Sequence, residues 1–454
     1  MDFSDLSFPG APLIKTPPPG PKSQAFLAYQ SSHEGSTVSY SKGMPMAIQC
    51  AKGCTVEDVD GNLYIDFFGG AGVMNVGHSN PRVVQAAIQQ IGELTHALDF
   101  PTPSRKLLIE TLCAVLPKQL SRLSFGGPTG SDAVESAIKL AKYNTKRQPI
   151  IAFEGSYHGM TTGALSVTSG RYFREPFLPL APEVHFVPYA YCYRCPFNQT
   201  PDKCSLECAQ YLEHVLEDPH SGIGKPAAII VEPMQGEGGS IVPPAQFMPK
   251  VREICDKHEV VMIADEVQVG FCRTGKMFAF EHTDTIPDIL TMSKALGGIG
   301  LPISAIAYQE QLNTWPTAQH IGTFRGNVVA YAAGAAALDF MVSRNLAEHA
   351  SQLGQRMLSS LKELETASRM VGEVRGKGLM LGVEFVKDKA TKQPWPEGAQ
   401  GVRSACHRRG LLIEIGGHYN NVARFLPPLV LTDELAEKGL AIFMDSVQEV
   451  EPSL

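Results

Sequence analysis

Between about residues 80 and 330, short all-apolar runs alternate with stretches whose apolar positions recur at three- and four-residue spacing. Runs at 149–153, 227–231 and 260–264 are long enough for buried strands, and 245–258 between the last two has helical spacing. That alternation predicts βαβ units and a large, mainly parallel sheet. Upstream, residues 54–68 carry two β-like runs around Asp60-Gly61, a hairpin signal. Downstream, 330–342 and 347–366 read as long helices, 379–385 and 411–415 as strands, and a closing helix begins near Asp433. The first 22 residues hold six prolines and read as an extended arm. The expected organisation is an arm at 1–22, a small α+β domain built from 23–79 and 331–454, and a large α/β domain at 80–330.

Composition narrows the class. Hydrophobic residues make up 44% of the 454 positions and charged residues 19%, enough apolar surface for a large core. With 39 Lys+Arg against 46 Asp+Glu the net charge is −7, and no basic run marks a nucleic-acid surface. No segment reaches about 18 consecutive apolar residues, so no membrane span is expected. The opening MDFSDLSFPG is acidic where a secretory leader is basic, so a cytoplasmic location is expected. Four of the ten cysteines cluster as Cys192, Cys195, Cys204 and Cys208. Their spacing suits a structural tetrahedral metal if a tight turn folds the pairs together; free thiols in a surface excursion are the other reading.

Three segments carry chemistry. In FGGPTGSDAVE a glycine-rich turn runs into a helix, with Asp132 and Glu135 spaced as a capping box. Free N–H groups there, with the hydroxyls of Thr129 and Ser131, could cradle a phosphate, although glycine before a helix is also commonplace. Asp265 follows an apolar strand, where ligands gather at the carboxyl edge of a parallel sheet. Lys294 sits between a short apolar strand and a Gly-rich turn, a costly place for an ammonium unless it is a nucleophile of lowered pKa. Together these are the parts needed to hold pyridoxal phosphate.

The stretches DEVQVGFCRTG, SKALGG and EPMQGEGG, with SYHGMT, HIGTFRGN, RGKGLMLGVEF and VARFLPPLVLT, resemble the class III (ω-type) aminotransferases, which are fold-type-I pyridoxal-phosphate enzymes. The resemblance implies that Lys294 is the catalytic lysine and that Asp265 pairs with the pyridine nitrogen. It also implies that Val267 and Tyr157 pack on the two ring faces, that Gln268 reaches the phenolic oxygen, and that Thr129, Gly130 and Ser131 hold the phosphate. Thr323 resembles a residue that reaches the phosphate of the partner subunit, implying a homodimer with shared active sites. His158 fits either a cofactor contact or a scaffold role. Arg424 matches the arginine that grips the carboxylate of 2-oxoglutarate, and Glu237 the gate that pairs with it while an ω-amine donor reacts.

Met160 stands where 4-aminobutyrate enzymes carry an arginine for the far carboxylate. The motifs are most similar to those of 2,4-diaminobutyrate:2-oxoglutarate aminotransferases. The alternatives on the same scaffold are an amino-acid racemase or epimerase, and a taurine or biosynthetic-amine transaminase.

Overall fold

The structure, a computed structural model, describes residues 3–454. Its centre is a seven-stranded sheet: β1 (Arg122–Phe125), β2 (Ile150–Phe153), β3 (Val184–Val187), β4 (Ala228–Val231), β5 (Val261–Asp265), β6 (Ile289–Met292) and β7 (Ala305–Tyr308). Their spatial order is β1-β7-β6-β5-β4-β2-β3. β7 runs antiparallel to both of its neighbours. The pairs β6–β5, β5–β4, β4–β2 and β2–β3 are parallel. Six strands therefore point the same way and end on one edge.

The apolar runs are continuous because both faces of the sheet are covered. Ile151, Phe153, Ile229, Val231 and Met262 pack into one core layer. The alternate residues Ile150, Ala152, Ala228, Ile230 and Ile263 pack into the other. The strands at 150, 228 and 261, and the helix Phe247–His258, lie where the periodicity expected them.

Both chain ends build the smaller sheets. The hairpin Thr55–Asp58/Leu63–Asp66 forms around Asp60-Gly61. Leu411–Leu412 then pairs in parallel with Leu63–Asp66, so the two ends of the chain share a sheet. A further sheet joins Val371–Lys377, Met380–Asp388, Val422–Phe425 and Glu414–Gly416. Glu414 lies directly opposite Arg424 across its last pair.

Three sequence expectations change. The arm is pinned: Leu13 bridges Leu63, and Asn62 accepts from the Lys15 and Thr16 N–H groups at 2.8 and 2.9 Å. It also ends early, because Pro21 opens a helix, Pro21–His33, whose first N–H groups at Lys22 and Ser23 are taken by Asp60. The first two residues of the expected arm lie outside the described residues. The boundary expected at 330/331 falls inside the helix Val328–Ser343, which is apolar nearly all round and packs on Pro81–Glu93 and Pro103–Val115. The capping box at the glycine-rich turn is Thr129 with Asp132, since the Thr129 N–H and hydroxyl donate to Asp132 at 2.9 and 2.7 Å. Glu135 instead takes the N–H groups of Gly163 and Ala164.

Arg273 ties the segment after β5 to both chain ends. It is fully buried, and its guanidinium donates to Leu379 O at 3.0 Å, to Pro427 O at 2.5 Å and to Asn75 Oδ1 at 2.6 Å. Burial pushes it down to about 9, so these acceptors are what make its burial tolerable. Arg273→Met leaves them unmatched and should cost about 2–4 kcal/mol, read as a lowered apparent melting temperature with native-like circular dichroism retained at low temperature.

Candidate active site

Parallel strands deliver the site residues to one edge. β5 ends in Asp265, β6 runs on into Ser293 and Lys294, and β4 runs on into Glu232. β2 leads to the turn bearing Tyr157 and His158, and β1 to the helix start at Gly130. A single cavity of about 660 Å³ is lined by Thr129, Gly130, Ser131, Tyr157, His158, Glu237, Asp265, Val267, Gln268 and Lys294. All ten are expected site residues, and they meet at the carboxyl edge of the sheet, as the open α/β architecture favours.

Asp265 is almost wholly buried. One oxygen accepts from the Thr291 hydroxyl at 2.9 Å and the Val267 N–H at 3.0 Å; the other lies 2.6 Å from His158 Nδ1. His158 is itself buried, and its Nε2 has no partner among the described residues. A carboxylate so held stays put and is ready to face a cation.

At the opposite wall, the N–H groups of Gly130 and Ser131 have no acceptor among the described residues, because they begin a helix. A Cβ at Gly130 would stand 2.7 Å from Val267 Cγ1, so only glycine lets these two walls approach. The Ser131 hydroxyl accepts from the Met160 N–H at 3.2 Å, which orients it.

Lys294 has φ of +45° and opens a short 3-10 turn, which lifts its side chain off the strand. Its amine makes no hydrogen bond or ion pair among the described residues. Burial pushes it below the ordinary lysine value; Glu237 and Glu414 pull the other way and Arg424 reinforces the fall.

Arg424 is fully buried at the far side of Glu237. Its Nη1 lies 2.7 Å from Glu237 and 3.3 Å from Glu414, and its Nη2 donates to Gln268 Oε1 at 2.8 Å. Gln268 Nε2 donates in turn to Glu237 at 3.3 Å. Burial opposes the charge on Glu237, but Arg424 and Lys294 outweigh it and hold its carboxyl below the usual range.

Two further carboxylates complete the site, Glu232 and Glu414, neither of them expected from the sequence. Glu232 lines the cavity and accepts from the N–H groups of Tyr157 at 3.1 Å and Gly236 at 2.9 Å, so it shapes both loops. Burial pushes it up to about 7; His158 lowers it and Asp265 raises it. Its signal was a charge directly behind the apolar run at 227–231. Glu414 was equally visible as an acid inside an apolar run.

Two expectations lie away from this cavity. Thr323 is exposed, in a 3-10 turn beside Ile321 (66% exposed) and Phe324 (71%). Cys192, Cys195, Cys204 and Cys208 together line a small separate cavity of about 20 Å³. There the Cys204 thiol donates to Glu207 at 3.3 Å and the Cys192 thiol lies 4.0 Å from Ala190 O. Among the described residues, the trio of possible ligand atoms all within 4.8 Å of one another is Glu213, Glu217 and His258. Lys257 already pairs with both of those glutamates.

The residues fit pyridoxal phosphate: orphan N–H donors at one wall, a fixed carboxylate at another, and an unpaired amine between. The family model for aminotransferase class-III matches residues 37–447. The chain is 43% identical to a diaminobutyrate--2-oxoglutarate aminotransferase of Haemophilus influenzae, over 93% of this chain and 95% of that protein. It is 37% identical to a leucine/methionine racemase of Thermococcus litoralis, over 92% and 93% respectively. The crystal structure of an amine transaminase from an uncultivated Pseudomonas species, in its pyridoxal-phosphate-bound form, superposes with a TM-score of 0.83. That match has 29% identity and covers 93% of this chain and 98% of that one.

Because the Cβ at Gly130 would meet Val267, Gly130→Ala should weaken retention of pyridoxal phosphate by about tenfold or more, the equivalent of about 1.4 kcal/mol. Titration of the cofactor-free protein, followed by the absorbance of bound cofactor, measures this.

Proposed function

This chain belongs to the class-III aminotransferases, and from that premise we propose that it moves the terminal amino group of a 2,4-diaminobutyrate-like donor to 2-oxoglutarate. It is a pyridoxal-phosphate-dependent aminotransferase. When bound, the cofactor supplies a carbon that carries the amino group between substrates and a ring that accepts the electron pair freed at the donor carbon.

The observation that supports the donor class is the ion pair of Glu237 on Arg424. With its guanidinium covered, the cavity presents no free arginine among the described residues, which suits an amine with no adjacent carboxylate. When Glu237 moves aside, the same guanidinium is a planar receptor for the carboxylate next to the keto group of 2-oxoglutarate. Gln268, bonded to both members of the pair, holds the guanidinium in register. A ping-pong enzyme needs one pocket for two unlike substrates, and this pair supplies both forms.

In this reading Lys294 Nζ, unpaired and of lowered pKa, takes the proton from the donor's amine-bearing carbon and returns one to the carbon that receives the amino group. Asp265, fixed by His158, Thr291 and Val267, holds a proton on the pyridine nitrogen. Tyr157 and Val267 bound the ring, and the helix start at Gly130 and Ser131 takes the phosphate. Met160, exposed in the cavity wall, gives the far end of the donor no cation, which argues against 4-aminobutyrate as the preferred donor.

We further propose a cytoplasmic homodimer in which Thr323 reaches the partner's phosphate site. Exposed apolar side chains support a covered face: Ile88 and Ile91 on one helix, Leu98, and Ile321 and Phe324 beside Thr323. The 97 and 326 segments are joined by the Ala97 N–H to Gly326 O bond at 3.1 Å, so Leu98 and Phe324 lie on adjoining segments. A sedimentation mass of one chain at micromolar concentration would overturn the dimer.

The donor assignment is tested by a half-reaction without keto acid, following cofactor absorbance and the chirality of recovered amino acid. 2,4-Diaminobutyrate should discharge the cofactor at least about tenfold faster than 4-aminobutyrate, and 2-oxoglutarate should restore it. The racemase relative makes an unchanged band with scrambled chirality the informative contrary result. Lys294→Ala should lower kcat by about 10³-fold or more while cofactor still binds; retained turnover would remove the lysine from the mechanism.

A further inference from the structure

Arg424 has two carboxylates on one nitrogen. Glu237 reaches Nη1 at 2.7 Å from a loop, and Glu414 lies 3.3 Å from the same Nη1. The two acids differ in freedom. Glu237 sits in the Gly-rich segment 236–240 and is 29% exposed, open to the cavity. Glu414 is 10% exposed and fixed by strand pairing directly opposite Arg424. Its Oε2 is the oxygen that faces Nη1, and among the described residues it accepts no hydrogen bond. A swinging gate explains the first carboxylate and leaves the second unexplained.

The difficulty is electrostatic. When an acceptor carboxylate replaces Glu237, Glu414 cannot leave. If it is ionised, the single positive charge of Arg424 is again divided between two carboxylates in a desolvated pocket, where like charges at close range exclude one another. We propose that Glu414 sets acceptor affinity: 2-oxoglutarate docks on Arg424 only when the Glu414 carboxyl carries a proton, so that entry of the acceptor is linked to a proton held on Glu414. This rests on Arg424 being the acceptor site, and it names a regulation of that site.

The surroundings of Glu414 suit the role. Arg424 faces it from the neighbouring strand, Glu237 from the gate loop, Lys294 from the end of β6 and Arg403 from the helix Pro396–Arg408. Tyr40, on the turn Tyr40–Gly43, feels both Glu414 and Glu237. Burial raises Glu414 to about 7, with Glu237 adding to the rise and the three cations opposing it. The sign follows: above that pH the free enzyme holds a charged Glu414, and the acceptor must bring a proton with it.

The test is the pH dependence of each half-reaction in the holoenzyme. For the wild type, KM for 2-oxoglutarate should rise about tenfold from pH 6 to pH 8, because only the neutral fraction is competent. KM for the donor should not follow it, since the donor reacts while Glu237 covers Arg424. Glu414→Gln should flatten the acceptor profile and lower KM at pH 8 by about tenfold, with kcat at saturating acceptor far less changed. A Gln variant with the wild-type slope, or with donor and acceptor KM altered alike, overturns the proposal. If that variant does not fold, calorimetry of wild-type protein with glutarate, an unreactive dicarboxylate, in two buffers of different ionisation enthalpy counts the proton directly. Uptake approaching one proton at pH 8 supports the link, and zero overturns it. Arg424→Lys separates the two claims: an unchanged KM for 2-oxoglutarate removes the acceptor site itself, whereas a large rise with no effect of Glu414→Gln removes only Glu414.

Discussion

The site depends on a carboxylate taken out of water at the end of a parallel strand. Asp265 can be there because Thr291, Val267 and His158 bond its two oxygens, and each partner comes from a different piece of the sheet edge. Thr291 requires β6 to lie beside β5 in register, and His158 requires the turn after β2 to fold back across the edge. His158 is itself placed by its N–H bond to Thr168. A slip of one residue in β5 would send the carboxylate to the other face of the sheet. The apolar core beneath therefore acts as a positioning device as well as a source of stability.

The same logic operates farther out with cations. Arg273 and Arg424 are both fully buried, and they are satisfied in different ways. Arg273 bonds to neutral carbonyl and amide oxygens from both chain ends, so its role is structural and it makes the distant segments meet. Arg424 is surrounded by acids and one amide, partners that can be exchanged for a ligand. A third buried cluster, Glu384 with Arg194, Arg375 and Tyr191, links the cysteine-bearing turn to the strand Met380–Asp388. Arg375 also donates to Gly239 O at 2.7 Å, which steadies the loop that carries Glu237. In the proposed function Glu237 therefore swings against a rigid frame.

Much of this was legible in the chain. Strands β2, β4, β5 and β6 showed as short apolar runs, because burial on both faces leaves no polar alternation to blur them. Lys294 and Asp265 stood out because a charge against an apolar run needs a reason. β1 and β3 did not stand out because Arg122 and Ser124 in one, and His185 in the other, break their apolar runs; β7 is a short apolar run that was not picked out as a strand. Glu232 and Glu414 were overlooked although each is also a charge at or inside an apolar run. What distinguishes them is which partners they meet in space, and residues far apart in sequence supply those partners. That Cys192, Cys195, Cys204 and Cys208 line one small cavity was likewise beyond spacing alone, since the turn that folds the two pairs together is set by the chain around them.

The remaining question is why a buried lysine should be left without a partner among so many acids. A direct ion pair would stabilise the ammonium and raise its pKa, and a charged amine can neither attack a carbonyl carbon nor accept a proton. Glu237 and Glu414, the nearest carboxylates by effect, are committed to Arg424, and Asp265 to His158. Their charge is felt by Lys294 at a distance but not delivered as a contact, so burial outweighs it and the amine stays below its ordinary pKa. Arg424 therefore serves two ends at once. In the proposed function it receives an incoming carboxylate, and by pairing with the acids it leaves the amine of Lys294 without a contact.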